Sequence, residues 1–438
     1  MGRFRMNKKK TVALTTLGCK VNQYDTDAVL AQFLAADYDV VDFSRKADVY
    51  VINTCTVTNL GDRKSRQMIR RAHKTNPEAV VVVMGCLAQT SPEQIAEIEG
   101  VNLILGTDGR GGIVEEIEGL ENKQTSLVGD IFQVEDFEDL PALDFSGRTR
   151  ATLKIQDGCD QFCTYCRVPF ARGPSRSRSR ESVLEQVDSI IKAGYHEIVL
   201  TGIHLGLYGR DLNPPLTLEE ITGQIAETPG LKRLRISSVN PHEITPGLMD
   251  LITNHPVVCR HLHIPLQSGS DAVLKRMKRD YSSTDFLNIV NRLRREIPEI
   301  AITTDIMVGF PGETEEDFAK TVALAKKAAF NRIHVFRYSR RAGTAAARFK
   351  GQIPGPVKEK RSARLIEIGE AMALDFHLSF VGKTVWVLVE QVAGGLATGL
   401  TDNYIRTSLP WAGGDDIIGE IVPVQVKSAD HEGVEGGN

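Results

Sequence analysis

The 438-residue chain has no apolar run of the roughly 18–20 residues that a membrane-spanning helix needs, so no span across a bilayer is expected. It also has no low-complexity tract and no internal repeat, which sets aside disordered scaffolds and solenoids. Its formal net charge is only −3 at pH 7, so any grip on a charged partner must come from local patches. The first residues, Met1–Lys10, are basic, but no apolar core or small-residue cleavage site follows them. A signal peptide is therefore not expected, and the expected location is cytoplasmic. The seven cysteines are an odd number, which no complete disulfide framework accommodates. In a cytosolic chain such cysteines are more often metal ligands or catalytic groups than bridges.

A chain of this length is too long for one compact core, so two or three domains are expected. In the first segment, 1–140, Thr11–Leu17, Ala47–Asn53, Ala79–Met84 and Leu103–Leu105 are β-branched runs without polar alternation. Such runs predict buried parallel strands, with helices between them at Asp25–Leu34 and Asp62–Lys74. Ser91-Pro92-Glu93-Gln94 carries a capping-box pattern with proline at the first helical position. Together these predict an open α/β sheet. The acidic stretch Glu135–Asp139, followed by Pro141, is expected to be a linker.

A second α/β series, assigned to 145–376, has six strand candidates: Ala151–Gln156, Glu197–Thr201, Leu234–Val239, His261–Gln267, Ile302–Val308 and Arg332–Tyr338. Thr217-x-x-Glu220, Ser282-x-x-Asp285 and Thr314-x-x-Asp317 mark helix starts between them. Six β-then-α units predict a partial parallel (β/α)6 barrel, with its chemistry at the carboxyl ends of the strands. The third segment, 377–427, changes to short strands (Thr384–Glu390, Gly395–Leu400, Tyr404–Ser408 and Gly419–Val426) broken by Gly, Asp-Asn and Pro-x-x-Gly-Gly turns. This predicts a small all-β barrel. The glycine-rich tail, 428–438, is expected to be disordered.

Cys159-x-x-x-Cys163-x-x-Cys166 is the sharpest motif. Three thiolates in one short loop can hold three irons of a four-iron cluster, which leaves the fourth iron open to a chelating ligand. The amino and carboxylate groups of S-adenosylmethionine (SAM) suit that open site. The alternative is zinc, but zinc sites prefer paired C-x-x-C units with four ligands, and the local sequence has no fourth. Cys19, Cys55 and Cys86 are far apart in sequence, yet each follows a predicted strand of the first sheet. Ligand sites of open sheets lie at that edge, so a second three-thiolate cluster is expected there rather than three packing cysteines. Cys259 has no partner and is expected in a core.

Leu17-Gly-Cys-Lys-Val-Asn-Gln-Tyr24, Val51-Ile-Asn-Thr-Cys55, Met84-Gly-Cys86 and Cys159-Asp-Gln-Phe-Cys-Thr-Tyr-Cys166 together resemble the methylthiotransferase family of radical SAM enzymes. Gly309-Phe-Pro-Gly-Glu-Thr314 and His334-Val-Phe-Arg-Tyr-Ser-Arg-Arg341 extend the resemblance, which covers about Thr11 to Val426. It implies a methylthiotransferase N-terminal domain, a radical SAM partial barrel and a C-terminal TRAM barrel. It implies as cofactors two [4Fe-4S] clusters, on Cys19, Cys55 and Cys86 and on Cys159, Cys163 and Cys166, with SAM. In such enzymes the reduced second set cleaves SAM to a 5′-deoxyadenosyl radical, which initiates replacement of an adenine C2 hydrogen. Sulfur comes from the N-terminal cluster and methyl from a second SAM. Gly18-Cys19-Lys20-x-Asn22-Gln23 resembles the bacterial enzymes acting on threonylcarbamoyladenosine 37 of the tRNA anticodon loop. Relatives acting on isopentenyladenosine tRNA or on a ribosomal protein are the alternatives inside the class. A non-catalytic iron–sulfur RNA-binding protein is the alternative outside it. A reducing donor such as flavodoxin or ferredoxin is an implied partner.

By this resemblance Tyr165 packs beside the SAM adenine. Thr201, Gly202, Ser238, Gln267 and Asp305 fall at or near strand ends facing the same pocket, and Gly309 lets backbone approach a ribose. An RNA partner would leave a basic footprint. Candidates are the helix carrying Arg63, Lys64, Arg66, Arg70, Arg71 and Lys74, the run Arg167, Arg172, Arg176, Arg178 and Arg180, and the group Arg337, Arg340 and Arg341. From Leu378 onward, Lys383, Arg406 and Lys427 face eight acids, so the TRAM-like segment is not expected to supply most of the RNA affinity. Arg337 and Arg167 depart from the family pattern, which favours proline and an aliphatic residue there.

Overall fold

The computed structural model describes residues 9–121, 123–141 and 147–437. They form two compact units. One holds the described residues up to 141 together with 157–161 and 166–178; the other holds 147–156, 162–165 and 179–437. The expected boundary near 145 lies outside the described residues, and both the partial barrel and the C-terminal barrel belong to the second unit.

The first unit is a six-stranded parallel sheet: β1 (Thr11–Thr16), β2 (Asp39–Val40), β3 (Val49–Thr54), β4 (Val80–Gly85), β5 (Val101–Ile104) and β6 (Thr125–Ser126), in the order β2-β1-β3-β4-β5-β6. The valine-rich runs follow from burial on both faces. Val81 and Val83 join one core layer with Tyr50, Ile52 and Ile69, while Val82 and Met84 join the other with Val49, Val51 and Leu103. The helix after β1, α1, is Lys20–Ala35, and α2, Asn59–Thr75, follows β3. Thr58 caps α2 by accepting from the Gly61 amide at 3.1 Å. The capping box expected at Ser91 does not form. Ser91 begins only a short helix, Pro92–Ala96, with no side-chain cap bond, and the Gln94 side chain accepts from Arg66 at 2.7 Å instead. The acidic stretch is not a free linker: Glu138 pairs with Arg110, and Asp139 with Arg178 at 2.6 Å.

The second unit contains β7 (Arg150–Lys154), β8 (Glu197–Thr201), β9 (Arg233–Ile236), β10 (His261–His263), β11 (Ala301–Val308) and β12 (Arg332–Arg337). They form two parallel three-stranded sheets, β9-β8-β7 and β10-β11-β12. Bridges Leu234–Val258 and Ser238–His263 join the two into one six-strand series, the expected partial barrel. The capping boxes at Thr217, Ser282 and Thr314 are all formed.

A helix, Gly355–Leu378, leads to a closed five-stranded barrel of β13 (Thr384–Ala393), β14 (Leu396–Thr401), β15 (Arg406–Pro410), β16 (Ile421–Ala429) and β17 (Val434–Gly437). β17 corrects the expectation of a disordered tail. It pairs with β15 and β16, and Val434 is buried in the barrel core. Glycine lets it lie close: a side chain at Gly436 would meet Val424 at 1.9 Å.

The small barrel packs against the starting residues of the parallel strands. Arg233 donates to the carbonyls of Leu400 (3.1 Å) and Trp386 (2.7 Å), and Arg235 to those of Asp402 (2.7 Å) and Thr401 (3.0 Å). Tyr404 stacks on His261 with ring centroids 4.7 Å apart. This packing uses the amino ends of the strands, the stability face of such barrels.

Candidate functional site

Cys19, Cys55 and Cys86 follow β1, β3 and β4, which are neighbours in the sheet. Parallel strands with aligned ends therefore bring residues distant in sequence to one edge. The side-chain oxygen of Asn22 lies 3.8 Å from the sulfurs of both Cys19 and Cys86. A side chain at Gly18 would meet the Cys55 sulfur at 3.1 Å, and that sulfur accepts from the Val57 amide at 3.5 Å. Cys86 opens a short helix, Cys86–Thr90, whose amides at Leu87 and Ala88 are met by the Thr54 hydroxyl at 3.2 and 3.3 Å. Gly85 before it has φ 92°, and a side chain there would strike Asn53 at 2.2 Å.

The Cys86 thiol is pushed up to about 12, chiefly by burial and further by Cys19 and Cys55, against the opposing charge of Arg172. A thiol buried in this way gives up its proton more readily to a metal than to water. Soft sulfur donors of this kind suit an iron–sulfur group. Among the described residues no three His, Cys, Asp or Glu side chains close round a single ion.

Two residues beside the thiols were not singled out for this role by sequence reasoning. Asn22, 1% exposed, donates to the carbonyls of Leu17 (2.8 Å) and Thr54 (2.9 Å). Its oxygen accepts from Arg172 at 2.6 Å. Arg172 itself was grouped with an RNA-binding run, and the structure corrects that reading. Arg172, Arg176 and Arg178 are buried: Arg172 pairs with Asp25 and Asp157, Arg176 donates to the carbonyls of Val134 and Arg172, and Arg178 pairs with Asp139. Arg341 is also buried. A guanidinium that has left water for protein partners has nothing left for phosphate. Only the spacing of the run was visible in the sequence, not its partners.

The loop Cys159–Cys166 is anchored at several points. The Cys159 amide donates to Gly173 at 3.0 Å, and Gly158, at φ 74°, lies where a side chain would strike the Pro174 carbonyl at 1.7 Å. The Cys166 sulfur accepts from the Val168 amide at 3.4 Å. In the second unit, the Cys163 sulfur accepts from Arg279 at 3.4 Å. Thr164 is tied by backbone bonds to Met277 (3.1 Å) and Ala346 (2.8 Å). Tyr165 packs edge-on against Phe310, beside Val273, Met277 and Tyr338.

The other residues expected round SAM spread along the strand ends of the second unit. Thr201 ends β8, and its carbonyl accepts from Ile155 at 3.0 Å. A side chain at Gly202 would meet Gln156 at 2.9 Å. Ser238 bridges to His263, and Asp305 lies 3.3 Å from the His263 imidazole. Gln267 takes the left-handed φ of 61°, donating to the Asp305 carbonyl at 2.8 Å and accepting from Met307 at 2.9 Å. Gly309 differs from its expected use. Its amide donates to Glu313 at 2.6 Å, and the space of its missing side chain is filled by Lys358 at 2.1 Å, so the close approach is made by protein. Near this end, His204 bonds Glu243, whose carboxyl burial pushes up but His204 and the Asn240 contacts hold below the usual range. Cys259 is buried in the core, 3% exposed.

Two family models match the chain: an uncharacterized protein family, UPF0004, over residues 11–106, and the radical SAM superfamily over residues 153–325. The threonylcarbamoyladenosine tRNA methylthiotransferase MtaB of Bacillus subtilis (strain 168) is 42% identical, the match covering 97% of this chain and 96% of that protein. The Thermotoga maritima protein of the same name is 38% identical over 97% and 96%. A tRNA-2-methylthio-N(6)-dimethylallyladenosine synthase of Acetivibrio thermocellus is 33% identical over 99% and 92%. Among solved structures, the radical SAM methyltransferase TsrM of Kitasatospora setae, with cobalamin and a [4Fe-4S] cluster bound, has a TM-score of 0.58. Its identity is 17%, and the match covers 91% of this chain and 82% of that one. The six-stranded parallel series and the matching model define a radical SAM enzyme, a class that works with a [4Fe-4S] cluster and SAM. Within it, the chain belongs to the methylthiotransferase family. No helix among the described residues is long and apolar enough to cross a membrane.

Proposed function

We propose that the chain methylthiolates C2 of N6-threonylcarbamoyladenosine at position 37 of tRNA. The similarity to MtaB proteins over nearly the whole length carries this reading, at 42% identity against 33% for the dimethylallyladenosine synthase. The element Gly18-Cys19-Lys20-x-Asn22-Gln23 agrees with it. Cys19, Cys55 and Cys86 hold one [4Fe-4S] cluster, and Cys159, Cys163 and Cys166 hold the other, with SAM at its open iron. When bound, these groups supply the sulfur, the methyl group and the radical chemistry that an unactivated aromatic C–H bond requires.

The protein's own residues place and shield these groups. The Cys163 sulfur receives the Arg279 guanidinium, and Cys166 an amide, donors that steady thiolate charge. Tyr165, Thr201, Gly202, Ser238, Gln267, Asp305 and Gly309 frame the SAM pocket; Gly309 acts through its turn rather than by direct approach. A flavodoxin- or ferredoxin-type donor supplies electrons. RNA meets α2, where Arg63, Lys64, Arg70, Arg71 and Lys74 are exposed, with Asp62 the one acid in the first turn.

The test is mass spectrometry of tRNA nucleosides from a strain lacking the gene, with the gene restored as wild type, C159A or C55A. Restoration of 2-methylthio-threonylcarbamoyladenosine by wild type alone is the expected result. Appearance of 2-methylthio-isopentenyladenosine instead would move the substrate to the other tRNA class. Unchanged nucleosides would point to a protein substrate.

A further inference from the structure

Arg172 ends the short helix Val168–Arg172, six residues past Cys166, and its side chain is 0% exposed. One guanidinium edge reaches Asp157 at 2.9 Å; the other reaches Asp25 at 2.8 Å and the Asn22 oxygen at 2.6 Å. That same Asn22 oxygen is the neighbour, at 3.8 Å, of both the Cys19 and Cys86 sulfurs.

Burying a guanidinium is costly, and replacing a whole buried ion-pair network by hydrophobic residues is often neutral or stabilising. Packing alone therefore does not account for Arg172. Its acid partners account for it only in part: Asp25 is shared with Arg110 at 2.6 Å and so already has a cation, while Asp157 is paired with Arg172 at 2.9 Å. The planar fork of arginine spreads its donors to acceptors on two edges, which the compact ammonium of lysine does not span in the same way. The acceptor that distinguishes this site is Asn22, the group against the thiols.

We propose that Arg172 is a positioning residue for the N-terminal cluster: it fixes Asn22 against Cys19 and Cys86 and supplies the buried positive charge that raises the cluster's reduction potential. The inference rests on the reading that Cys19, Cys55 and Cys86 hold a cluster. Net charge and hydrogen bonding near the sulfurs are the levers by which protein sets such potentials. Removing a buried cation a few ångströms away makes electron addition harder.

The full-length C159A/C163A/C166A variant isolates the N-terminal site. Iron content and the midpoint potential, followed by electron paramagnetic resonance during a redox titration, are measured in this parent and with R172M or R172K added. Expected is an iron-loaded parent, a lower midpoint in R172M, and a smaller shift in R172K, which keeps the charge but not the fork. Loss of iron in R172M alone, with R172K loaded, also supports the role. An iron-loaded R172M with the parent's midpoint overturns it. Equal loss of iron in both variants overturns it as well, since Arg172 would then hold the local fold alone. A parent without iron would overturn the cluster reading itself, and with it this inference.

Discussion

The Glu197 carboxylate accepts from the Arg235 Nε at 2.8 Å, with both side chains sealed from solvent at the start of neighbouring barrel strands. The same guanidinium donates to the Thr401 and Asp402 carbonyls, so the pair ties the all-β barrel to the parallel one. Basic strand starts in the parallel barrel take up carbonyls and also acids of the small barrel, as Arg150 does with Glu390 at 2.8 Å. Part of the acidity that made the TRAM-like segment unpromising for phosphate is thus committed inside the chain.

This pair predicts an acid-dependent stability. Burial pushes the Glu197 carboxyl up, but Arg235, Arg150 and Arg233 outweigh it and hold the carboxyl below the ordinary glutamate value. Because the folded value is the lower one, the stabilisation is fully present above the ordinary value and is lost as pH falls through the folded one. Glu197→Gln is expected to cost about 3–5 kcal/mol at neutral pH, the loss typical of a broken buried pair. It should also flatten the decline in acid. Urea unfolding at neutral and acidic pH measures both, and equal slopes for the two proteins would refute the assignment.

Arg110 predicts a second effect, on the acidic stretch. Its guanidinium pairs with Asp25 at 2.6 Å and holds Glu138 through Nε at 2.7 Å, while Glu138 also accepts from the Gly111 amide at 3.1 Å. Arg110→Met leaves the part-buried Glu138 without its cation and the buried Asp25 with Arg172 alone, and is expected to cost up to about 3–5 kcal/mol. Limited proteolysis should then cut near residues 135–141 before the sheet itself is attacked. Survival of that stretch at the wild-type rate would mean that other contacts hold it.

The strands, the partial barrel and the cysteine edge were legible in the sequence because each depends on a short-range pattern. Valine runs, capping boxes and the fall of each cysteine just past a strand are all local. What was not legible depends on partners remote in sequence. Arg172 and Asn22 are 150 residues apart, and nothing near Arg172 distinguishes a buried hub from an exposed basic run. The tail was misjudged for a related reason: Val434–Gly437 has little strand propensity of its own, and pairing with β15 and β16 supplies what composition lacks. Gly309 was marked for a close approach to a ribose, whereas the group filling that space is Lys358, 49 positions away.

Gly85 is where local backbone most directly controls a thiol. With φ 92° and ψ −161° it occupies a region essentially open to glycine alone, one residue before Cys86. A side chain would also strike Asn53 at 2.2 Å and the Thr54 carbonyl at 2.9 Å. Gly85→Ala is expected to cost about 2–5 kcal/mol from backbone strain and overpacking together. In the C159A/C163A/C166A background it should lower iron content, whereas Gly194→Ala, at φ 90° with open space round it, should leave iron unchanged. Equal iron in both would mean that Cys86 tolerates a shifted backbone.

The exposed face of α2 predicts where RNA binds. Arg63, Lys64, Arg70, Arg71 and Lys74 are exposed along it, while three arginines of the rival run are buried. Each phosphate contact contributes roughly 0.7–0.9 to the slope of log affinity against log salt, the lower figure for single strands. Arg70→Glu/Arg71→Glu is therefore expected to lower that slope by about 1.5 and to weaken tRNA binding at least about tenfold near 0.1 M salt. Arg180→Glu/Lys327→Glu, which reverses as many exposed charges away from α2, serves as the comparison for a simple change of net charge. If both variants shift binding equally, the effect is the overall charge and α2 is not the RNA face. If only the α2 variant loses slope, phosphate sits on that helix, a few residues past Cys55.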